Sequence, residues 1–234
     1  MSVTIFTDGA SRGNPGPGGW AAIVVDGTNV CELGGGEKTA TNNRMELTAA
    51  AAGLSKAPKK EPATVYTDSS YVIHGITKWI HNWKRNDWQT KTKKDVLNKE
   101  LWMELADEIE KRTVKWEYVS GHAGILGNER CDHIATAFAD GRKVKLYKGP
   151  LAQYDLPNIL DIKAETQKLS AKKSASSRAK AKPYSYVSSV GGVIEVHPTW
   201  AECEKRVKGV KGARFKKAIS AEDEADITDE FGAL

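Results

Sequence analysis

Residues 161–182 constrain the possible folds of this chain more than any other segment does. Their sequence, DIKAETQKLSAKKSASSRAKAK, is rich in Lys, Ala and Ser and contains no aromatic residue. A segment of this composition cannot bury enough apolar surface to offset the entropy that it loses on ordering. We therefore predict a flexible linker here, which separates a domain of about 150 residues from a small C-terminal unit.

The distribution of charge supports this division. Of the net charge of +5, residues 1–160 contribute +2, residues 161–182 +5 and residues 183–220 +4, whereas residues 221–234 contribute −6. We predict a first domain at 1–145, a basic flexible linker at 146–182, a small domain at 183–220 and an acidic tail at 221–234. A polyanionic partner would meet the basic part of the chain, although a merely solubilising linker would carry the same charge.

The cysteines and the hydropathy of the chain indicate where the protein works. Cys31, Cys131 and Cys203 are far apart and form no CxxC pair, so neither a disulfide framework nor a zinc site is expected. No apolar run reaches the length of a membrane span, and the N-terminus lacks the pattern of a signal peptide. We therefore expect a soluble cytoplasmic protein in a reducing compartment.

Two short apolar segments, VTIFTD and ATVYTD, share one pattern. Each is typical of a buried strand, at residues 3–7 and 63–67, that ends at an aspartate. Further strands are predicted at residues 20–25, 30–33 and 114–119, with a hairpin at Asp26–Gly27, and helices at residues 44–55, 71–83, 99–111 and 126–139. Thr41 or Asn42 can cap the first helix. Hairpin strands followed by strands that alternate with helices indicate an α/β fold with a mixed sheet.

Asp8 and Asp68 directly follow the two similar strands. If these strands are parallel neighbours, both carboxylates emerge at the edge where open α/β sheets bind ligands. Glu46, near the start of its helix, and Asp132, on the last helix, could face the same edge. Four hard oxygen ligands without a Cys or His pair favour Mg²⁺ or Mn²⁺ over zinc. Taken singly, each of these residues could equally be a turn former or a helix cap.

His122 lies in the glycine-flanked segment SGHAGILGNERCD, ten residues before Asp132. An imidazole in a mobile loop can accept or carry protons near neutral pH. A solvated loop histidine without a function would have the same neighbours in sequence. The position alone therefore leaves both interpretations open.

Four sequence words, TDGASRGNPGPGGW, TNNRMEL, YTDSSYVIHGITKWIHNWK and SGHAGILGNERCD, resemble in order and spacing the bacterial-type ribonucleases H of type 1. The resemblance runs from residue 2 to residue 142. It implies a five-stranded mixed sheet flanked by helices. It also implies an endonuclease, dependent on Mg²⁺ or on Mn²⁺ in its place, that hydrolyses the RNA strand of RNA–DNA hybrids and leaves 5′-phosphate and 3′-hydroxyl ends.

The same resemblance assigns roles to individual residues. Asp8, Glu46, Asp68 and Asp132 would ligate two metal ions, with Asp8 bridging them, and His122 would assist proton transfer or product release. The residues that would contact the hybrid are Ser11, Asn14, Thr41, Asn42, Asn43, Trp79, Trp83 and Lys84. Ser11 and the asparagines match positions that touch the minor groove, where small polar groups can read the 2′-hydroxyl of RNA. The tryptophans belong to a segment that resembles the basic protrusion of the family, and they could equally be core residues.

Residues 184–218, and above all the word TWAECEKRVKGVKGARFKK, resemble a small domain of eukaryotic-type ribonucleases H that binds hybrids and double-stranded RNA. That domain has an α+β fold and usually stands at the N-terminus. The resemblance implies nucleic-acid contacts by Tyr186, Trp200, Phe215, Lys216 and Lys217, since aromatic faces stack on sugars or bases while Lys binds phosphate. The alternative is a small globular appendage with Trp200 and Phe215 in its core. We expect the whole protein to be a monomer.

Two other functions are compatible with these residues. A different nuclease, or a strand-transfer enzyme of the same fold, would also use carboxylates and Mg²⁺. A binding protein that has lost catalysis would keep the contacts to the hybrid. The words SGHAG and NNRMEL favour hybrid cleavage over the first alternative, and the intact set of four carboxylates argues against the second.

Overall fold

The structure is a computed structural model. It describes residues 2–90, 93–119, 124–162, 182–219 and 221–233. The chain divides into two compact units. One consists of residues 1–77 and 100–168, and the other of residues 78–99 and 169–234. Residues 78–99, which the sequence analysis assigns to the first domain, therefore belong to the second unit.

The first unit is built on a six-stranded mixed sheet, in agreement with the predicted α/β class. Its strands are β1 (Val3–Ser11), β2 (Gly16–Asp26), β3 (Asn29–Ala40), β4 (Ala63–Thr67), β5 (Val114–Tyr118) and β6 (Lys148–Pro150), in the spatial order β5-β4-β1-β2-β3-β6. β1 pairs antiparallel with β2 and parallel with β4, and β4 pairs parallel with β5. The resemblance implied five strands, and the sixth is β6, which pairs with β3.

β2 and β3 are longer than the sequence analysis predicts, because glycine-rich stretches that are typical of turns lie inside the ladder. β2 begins at Gly16, and β3 runs through Gly34–Gly36. Gly19 shows what these glycines allow: a Cβ on it would lie 2.1 Å from the carbonyl oxygen of Ala135. The absent side chain lets the helix that carries Ala135 lie directly on the sheet.

The helices up to residue 139 are α1 (Asn42–Lys56), α2 (Ser70–His74), α3 (Ile80–Arg85), α4 (Lys99–Glu110) and α5 (Leu126–Ala139). Thr41 caps α1 by accepting a hydrogen bond from the backbone N–H of Arg44 at 3.2 Å. The helix predicted at residues 71–83 is interrupted by a π-helix, Gly75–Trp79. A Cβ on Gly75 would lie 1.9 Å from the ring of Trp102, so the buried indole occupies the space of a side chain there.

Residues 146–162 are part of the first unit, and the predicted linker at 146–182 was wrong over this stretch. Tyr154 and Ile159 are 6% and 1% exposed and belong to the same core cluster as Phe6 of the sheet. The prediction was wrong because it relied on the basic composition of the segment and did not consider the spaced apolar residues that cover the sheet. The remainder of the predicted linker, residues 163–181, lies outside the described residues.

A buried carboxylate holds this segment in place. Glu32, on β3, accepts hydrogen bonds from the Tyr154 hydroxyl at 2.6 Å and from the backbone N–H of Tyr147 at 2.8 Å. Arg130 on α5 donates to both Glu32 oxygens, at 2.7 and 2.9 Å. Burial raises the pKa of Glu32, but the hydrogen bonds from Arg130, Tyr154 and Tyr147 outweigh it, so the pKa is lower than usual.

In the second unit, residues 182–233 form a small α+β fold, as predicted. Its elements are β7 (Ser185–Val190), β8 (Val193–His197), α6 (Trp200–Val207), β9 (Arg214–Ala218) and α7 (Ala221–Ala233), with the strands in the order β8-β7-β9. α7 corrects the prediction of an acidic tail at 221–234. Ile227 and Phe231, four residues apart, share one helix face and are buried against Val187 and Ala218.

Within the parts of the chain that the structure describes, no helix has both the length and the apolar character needed to cross a membrane.

Candidate active site

Asp8 and Asp68 lie at the same edge of the sheet because the strands before them are parallel neighbours. β1 and β4 pair in register from Val3 opposite Ala63 to Thr7 opposite Thr67. The residue after this parallel pairing is an aspartate in both segments, on the side of the sheet where α/β folds bind ligands. Asp68 directly follows β4, whereas β1 continues past Asp8 to Ser11, so the predicted end of the first strand at Asp8 was too early. This is the arrangement that the two similar sequence words predict.

Glu46 reaches the same edge because α1 approaches β1 without an intervening side chain. A Cβ on Gly9, the residue after Asp8, would lie 2.3 Å from the backbone nitrogen of Glu46. Only glycine tolerates this contact. Since Glu46 is the fifth residue of α1, the Thr41 cap and the Gly9 contact together place its side chain beside Asp8.

The three carboxylates form a cluster. Asp8, Glu46 and Asp68 each offer an oxygen, and these oxygens lie within 4.8 Å of one another. Asp8 and Glu46 are 6% and 5% exposed. Like charges this close and this buried repel one another, and a divalent cation would cancel that repulsion. All donors are hard oxygens, the ligand type that Mg²⁺, Mn²⁺ and Ca²⁺ prefer, so the residues fit a divalent metal ion.

Asp132 is placed differently from the other three carboxylates. It is half-buried on α5, and its Oδ1 lies 3.4 Å from the hydroxyl of Thr136, one helical turn later. Among the described residues it is not a member of the three-carboxylate cluster. The structure thus brings together three of the four predicted ligands and puts the fourth on the adjoining helix.

α5 is connected to the cluster through Asn128, which the sequence analysis missed. The Asn128 side-chain amide donates to Asp68 Oδ2 at 3.3 Å, and Asn128 is 3% exposed. Asn128 and Asp132 are four residues apart and share a helix face. That spacing within GNERCD is the signal that could have identified Asn128.

Two further contacts fix α5 on the sheet. The Cys131 sulfur donates to the carbonyl oxygen of Phe6 on β1 at 3.4 Å, and Arg130 binds Glu32 on β3. Burial raises the pKa of the Cys131 thiol well above its usual value, so the thiol stays protonated and remains a donor. The two residues that precede Asp132 in this helix are thus held by strands of the sheet.

Most of the residues expected to contact the hybrid in the first unit are partly accessible. Ser11, Asn14, Thr41 and Asn42 are all half-buried, near the ends of β1 and α1. The side-chain oxygen of Asn14 accepts a hydrogen bond from the backbone N–H of Asn42 at 3.1 Å. Asn43 is 2% exposed, so little of its side chain is available to a ligand.

The burial of Trp79 and Trp83 contradicts their predicted contact with the hybrid. Their side chains are 7% and 2% exposed, and their ring centroids lie 5.6 Å apart. Aromatic side chains buried in this way stabilise the segment through packing, which is the alternative that the sequence analysis left open. Lys84, the next residue, is exposed. His122 lies outside the described residues.

Three of the predicted C-terminal contacts form one aromatic surface. Trp200, at the start of α6, packs against Tyr186 and Phe215 with ring centroids 5.5 and 5.0 Å away. Trp200 is 37% exposed and Phe215 is 49% exposed. This exposure excludes the alternative in which both rings are core residues, and it leaves ring surface accessible to a ligand. We call Tyr186, Trp200 and Phe215 the aromatic face.

Lys216 points away from the aromatic face and is paired with an acidic side chain, so its contact with nucleic acid stays a prediction. Successive side chains of a strand point to opposite faces of the sheet, and Lys216 follows Phe215 on β9. Its Nζ lies 2.6 Å from both carboxylate oxygens of Glu230 on α7. Lys217 returns to the side of Phe215 and remains a candidate contact.

The mixed sheet and its carboxylate cluster define an α/β protein with a set of hard-oxygen donors that fits a divalent metal ion. Residues 1–140, more than half of the chain, match the sequence profile of the family described as RNase H. The chain therefore belongs to the RNase H family and is a nuclease.

Named relatives agree with this assignment. A protein named Ribonuclease H from Cyanothece sp. is 52% identical over 145 residues, which cover 61% of this chain and 92% of that protein. Another from Bradyrhizobium diazoefficiens is 53% identical over 133 residues, covering 57% and 86%. The crystal structure of LC9-RNase H1, described as a type 1 RNase H with the type 2 active-site motif, has a TM-score of 0.55 at 28% identity, covering 63% of this chain and 77% of that one.

The second unit has its own match. Residues 186–225 match the profile described as Ribonuclease H1 N-terminal domain. This confirms the resemblance of the small domain and its position after the catalytic domain. The match extends into α7, which is consistent with α7 being an integral part of the fold.

Proposed function

We propose that the protein is an endoribonuclease that hydrolyses the RNA strand of RNA–DNA hybrids with Mg²⁺. The observation that carries this proposal is the cluster of Asp8, Glu46 and Asp68 where the parallel pairing of β1 and β4 ends. Hydrolysis adds water to a backbone phosphorus and breaks its bond to the 3′-oxygen. The products are therefore a 5′-phosphate and a 3′-hydroxyl.

Two Mg²⁺ ions would be held by Asp8, Glu46 and Asp68, with Asp132 completing the set from α5. When bound, such a pair stabilises the attacking and the leaving oxygen of an in-line displacement. Asn128 keeps Asp68 oriented through the amide hydrogen bond at 3.3 Å. His122 would assist proton transfer or product release.

Recognition of the RNA strand would fall to Ser11, Asn14 and Asn42. These small polar residues lie near one another, joined by the hydrogen bond between Asn14 and Asn42. Only RNA offers 2′-hydroxyl groups in the minor groove, and short polar side chains can both donate to them and accept from them. Recognition of the 2′-hydroxyl groups is what distinguishes a hybrid nuclease from a nuclease of the same fold that cuts DNA.

The decisive experiment is cleavage of an end-labelled hybrid with and without Mg²⁺, beside matched double-stranded RNA and double-stranded DNA. We expect cleavage of the hybrid RNA strand alone. Asp8→Asn removes one carboxylate charge from the cluster, so it should abolish cleavage and preserve hybrid binding. Full activity of Asp8→Asn would refute the site, and equal cleavage of double-stranded DNA would favour the rival nuclease.

The aromatic face of the small domain would bind nucleic acid as well. The exposed rings of Trp200 and Phe215 offer stacking surface, and Lys217 on the same side can meet a phosphate. We propose that this surface binds hybrids and double-stranded RNA, and that the protein acts as a monomer. The cytoplasmic location stays a prediction.

A further inference from the structure

The loop between β1 and β2 carries an ion pair that the function described above does not use. Arg12 donates from Nε to Asp140 Oδ1 at 2.5 Å and from Nη2 to Oδ2 at 2.9 Å. A second guanidinium, that of Arg142, donates to Asp140 Oδ2 at 3.3 and 3.1 Å. One carboxylate therefore binds two arginines, and the pairing with Arg12 is bidentate, which fixes its geometry as well as its distance.

The position of Asp140 is rigidly determined by the end of α5. Gly141, at φ +67, donates its N–H to the carbonyl of Phe138, and Arg142 donates its N–H to the carbonyl of Ala137. These two bonds form a Schellman motif, a common way to end a helix with glycine in the left-handed region. Asp140 is thus presented from an ordered helix terminus.

Arg12 lies between two residues proposed to read the RNA strand. Ser11 precedes it, and Asn14 follows two positions later. Asn14 is attached at its side chain to the N-terminus of α1. Without the contact to Asp140, the Arg12 end of this loop would lose its side-chain attachment to α5.

Charge alone would predict the opposite role for Asp140. The side chains of Arg12 and Arg142 are 49% and 53% exposed, so a polyanion would be attracted more strongly if Asp140 were neutral. The two arginines lower the pKa of the Asp140 carboxyl to about 2, chiefly through the hydrogen bond from Arg12, so it remains ionised at neutral pH. The charge of Asp140 therefore weakens the long-range attraction between the protein and a polyanion, while the ion pair of Asp140 with Arg12 fixes the loop.

We propose that Asp140 is a positioning residue for substrate recognition: by binding Arg12 it holds the loop that presents Ser11 and Asn14 to the hybrid. This inference rests on the proposed function. The Arg12–Asp140 contact joins the element that reads the RNA to α5, the helix that carries Asp132. Substrate that binds to the loop is thereby kept in a constant position relative to α5.

The test is Asp140→Asn in the full chain, measured by KM and kcat on a labelled hybrid. We expect KM to rise about fivefold, the effect of one well-oriented exposed ion pair, and kcat to stay the same. Asp107→Asn, at an exposed position on α4, makes the same charge change and should leave KM unchanged or slightly lower. Direct titration of a fluorescent hybrid in the Asp8→Asn background should show the same loss of affinity.

Two further variants test whether Asp140 acts through Arg12. Arg12→Ala should raise KM, and adding Asp140→Asn to it should raise KM no further. Thermal unfolding should show that the variants remain folded. An unchanged or lower KM for Asp140→Asn would overturn the inference even while the wild type cleaves hybrid. A wild type that does not cleave hybrid would instead refute the proposed function.

Discussion

At the scale of single residues, the site depends on the lack of a side chain at Gly9 as much as on the carboxylates themselves. The backbone of Glu46 can approach Asp8 only because Gly9 has no Cβ. A glycine beside Asp8 is therefore a packing requirement at this position. Its replacement should affect the carboxylate cluster before it affects the rest of the fold.

We predict that Gly9→Ala impairs Mg²⁺ binding and lowers the free energy of unfolding by about 1–3 kcal/mol, the usual cost of overpacking. The added methyl would lie 2.3 Å from the Glu46 nitrogen and would push α1 away from β1. Calorimetric titration with Mg²⁺ and thermal unfolding measure the two effects. Gly232→Ala is the control, since a Cβ on Gly232 would lie 3.7 Å from Ile194 Cδ1, an ordinary van der Waals contact. Equal behaviour of the two variants would contradict the packing role of Gly9.

Glu32 should make stability depend on pH. The pKa of Glu32 in the folded protein is below the usual value. Its contribution to the free energy of unfolding is therefore complete above about pH 4.3, the ordinary pKa of Glu. The contribution is lost as the pH falls through the lower, folded value. We predict that Glu32→Gln costs about 1–3 kcal/mol at pH 7, because Arg130 and Tyr154 lose a charged partner.

This pH dependence is measured by urea unfolding of the wild type and Glu32→Gln from pH 7 down to pH 3. The difference between the two free energies of unfolding should shrink as Glu32 becomes protonated. A difference that stays constant over the whole range would show that the charge of Glu32 is not what stabilises the contact. Glu104→Gln, at an exposed position on α4, serves as the matched control.

At the scale of elements, the segment after α5 is more important than its composition indicates. β6 pairs with β3, which would otherwise be the edge strand on that side of the sheet, and Tyr154 and Ile159 fill space on the core. An edge strand presents unpaired backbone groups, and covering it is a common way to avoid association with other chains. The segment thus completes the first unit and is no part of a linker.

We predict that a protein ending at residue 162 unfolds close to the temperature of the first unit in the full chain, whereas one ending at residue 145 unfolds at a clearly lower temperature. The shorter protein lacks the Tyr154 and Tyr147 hydrogen bonds to Glu32 and exposes the core surface under Ile159. Scanning calorimetry of both proteins measures the difference. Equal unfolding temperatures would show that residues 146–162 contribute nothing to stability.

At the scale of the whole molecule, the chain combines the unit that carries the carboxylate cluster with a second unit whose aromatic face we propose to bind nucleic acid. Two sites on one chain raise the local concentration of substrate at the second site once the first is occupied. Phosphate contacts make such binding sensitive to salt. A second surface should therefore matter most on long hybrids at physiological ionic strength.

We predict that removing residues 163–234 weakens binding to long hybrids and reduces repeated cleavage on one molecule, while cleavage of short hybrids at low salt continues. Trp200→Ala in the full chain should weaken binding to long hybrids in the same direction, since it removes the ring at the centre of the aromatic face. Product-length distributions and affinities at two salt concentrations measure this. Unchanged affinity and processivity would refute a substrate-binding role for the small domain.

Features that depend on neighbouring residues in the chain were predictable. The strand–Asp words placed Asp8 and Asp68 at one edge, the cap of the first helix was predicted to be Thr41 or Asn42, and the order of motifs identified the family. These signals are local, since strand pattern, capping and motif spacing all act within a few residues. The sequence alone therefore determined the fold class, the chemistry of the donor set and the presence of a second small domain.

Features that depend on pairs of residues far apart in the chain were decided by the tertiary structure alone. The contacts Arg12–Asp140, Glu32–Tyr154 and Lys216–Glu230 join segments that no local pattern connects. The same holds for the burial of Trp79 and Trp83 and for the packing of α7. Whether a side chain is a ligand, a core residue or one half of an ion pair depends on the residue that folding places beside it. That neighbour is distant in the chain, so the local sequence does not predict it.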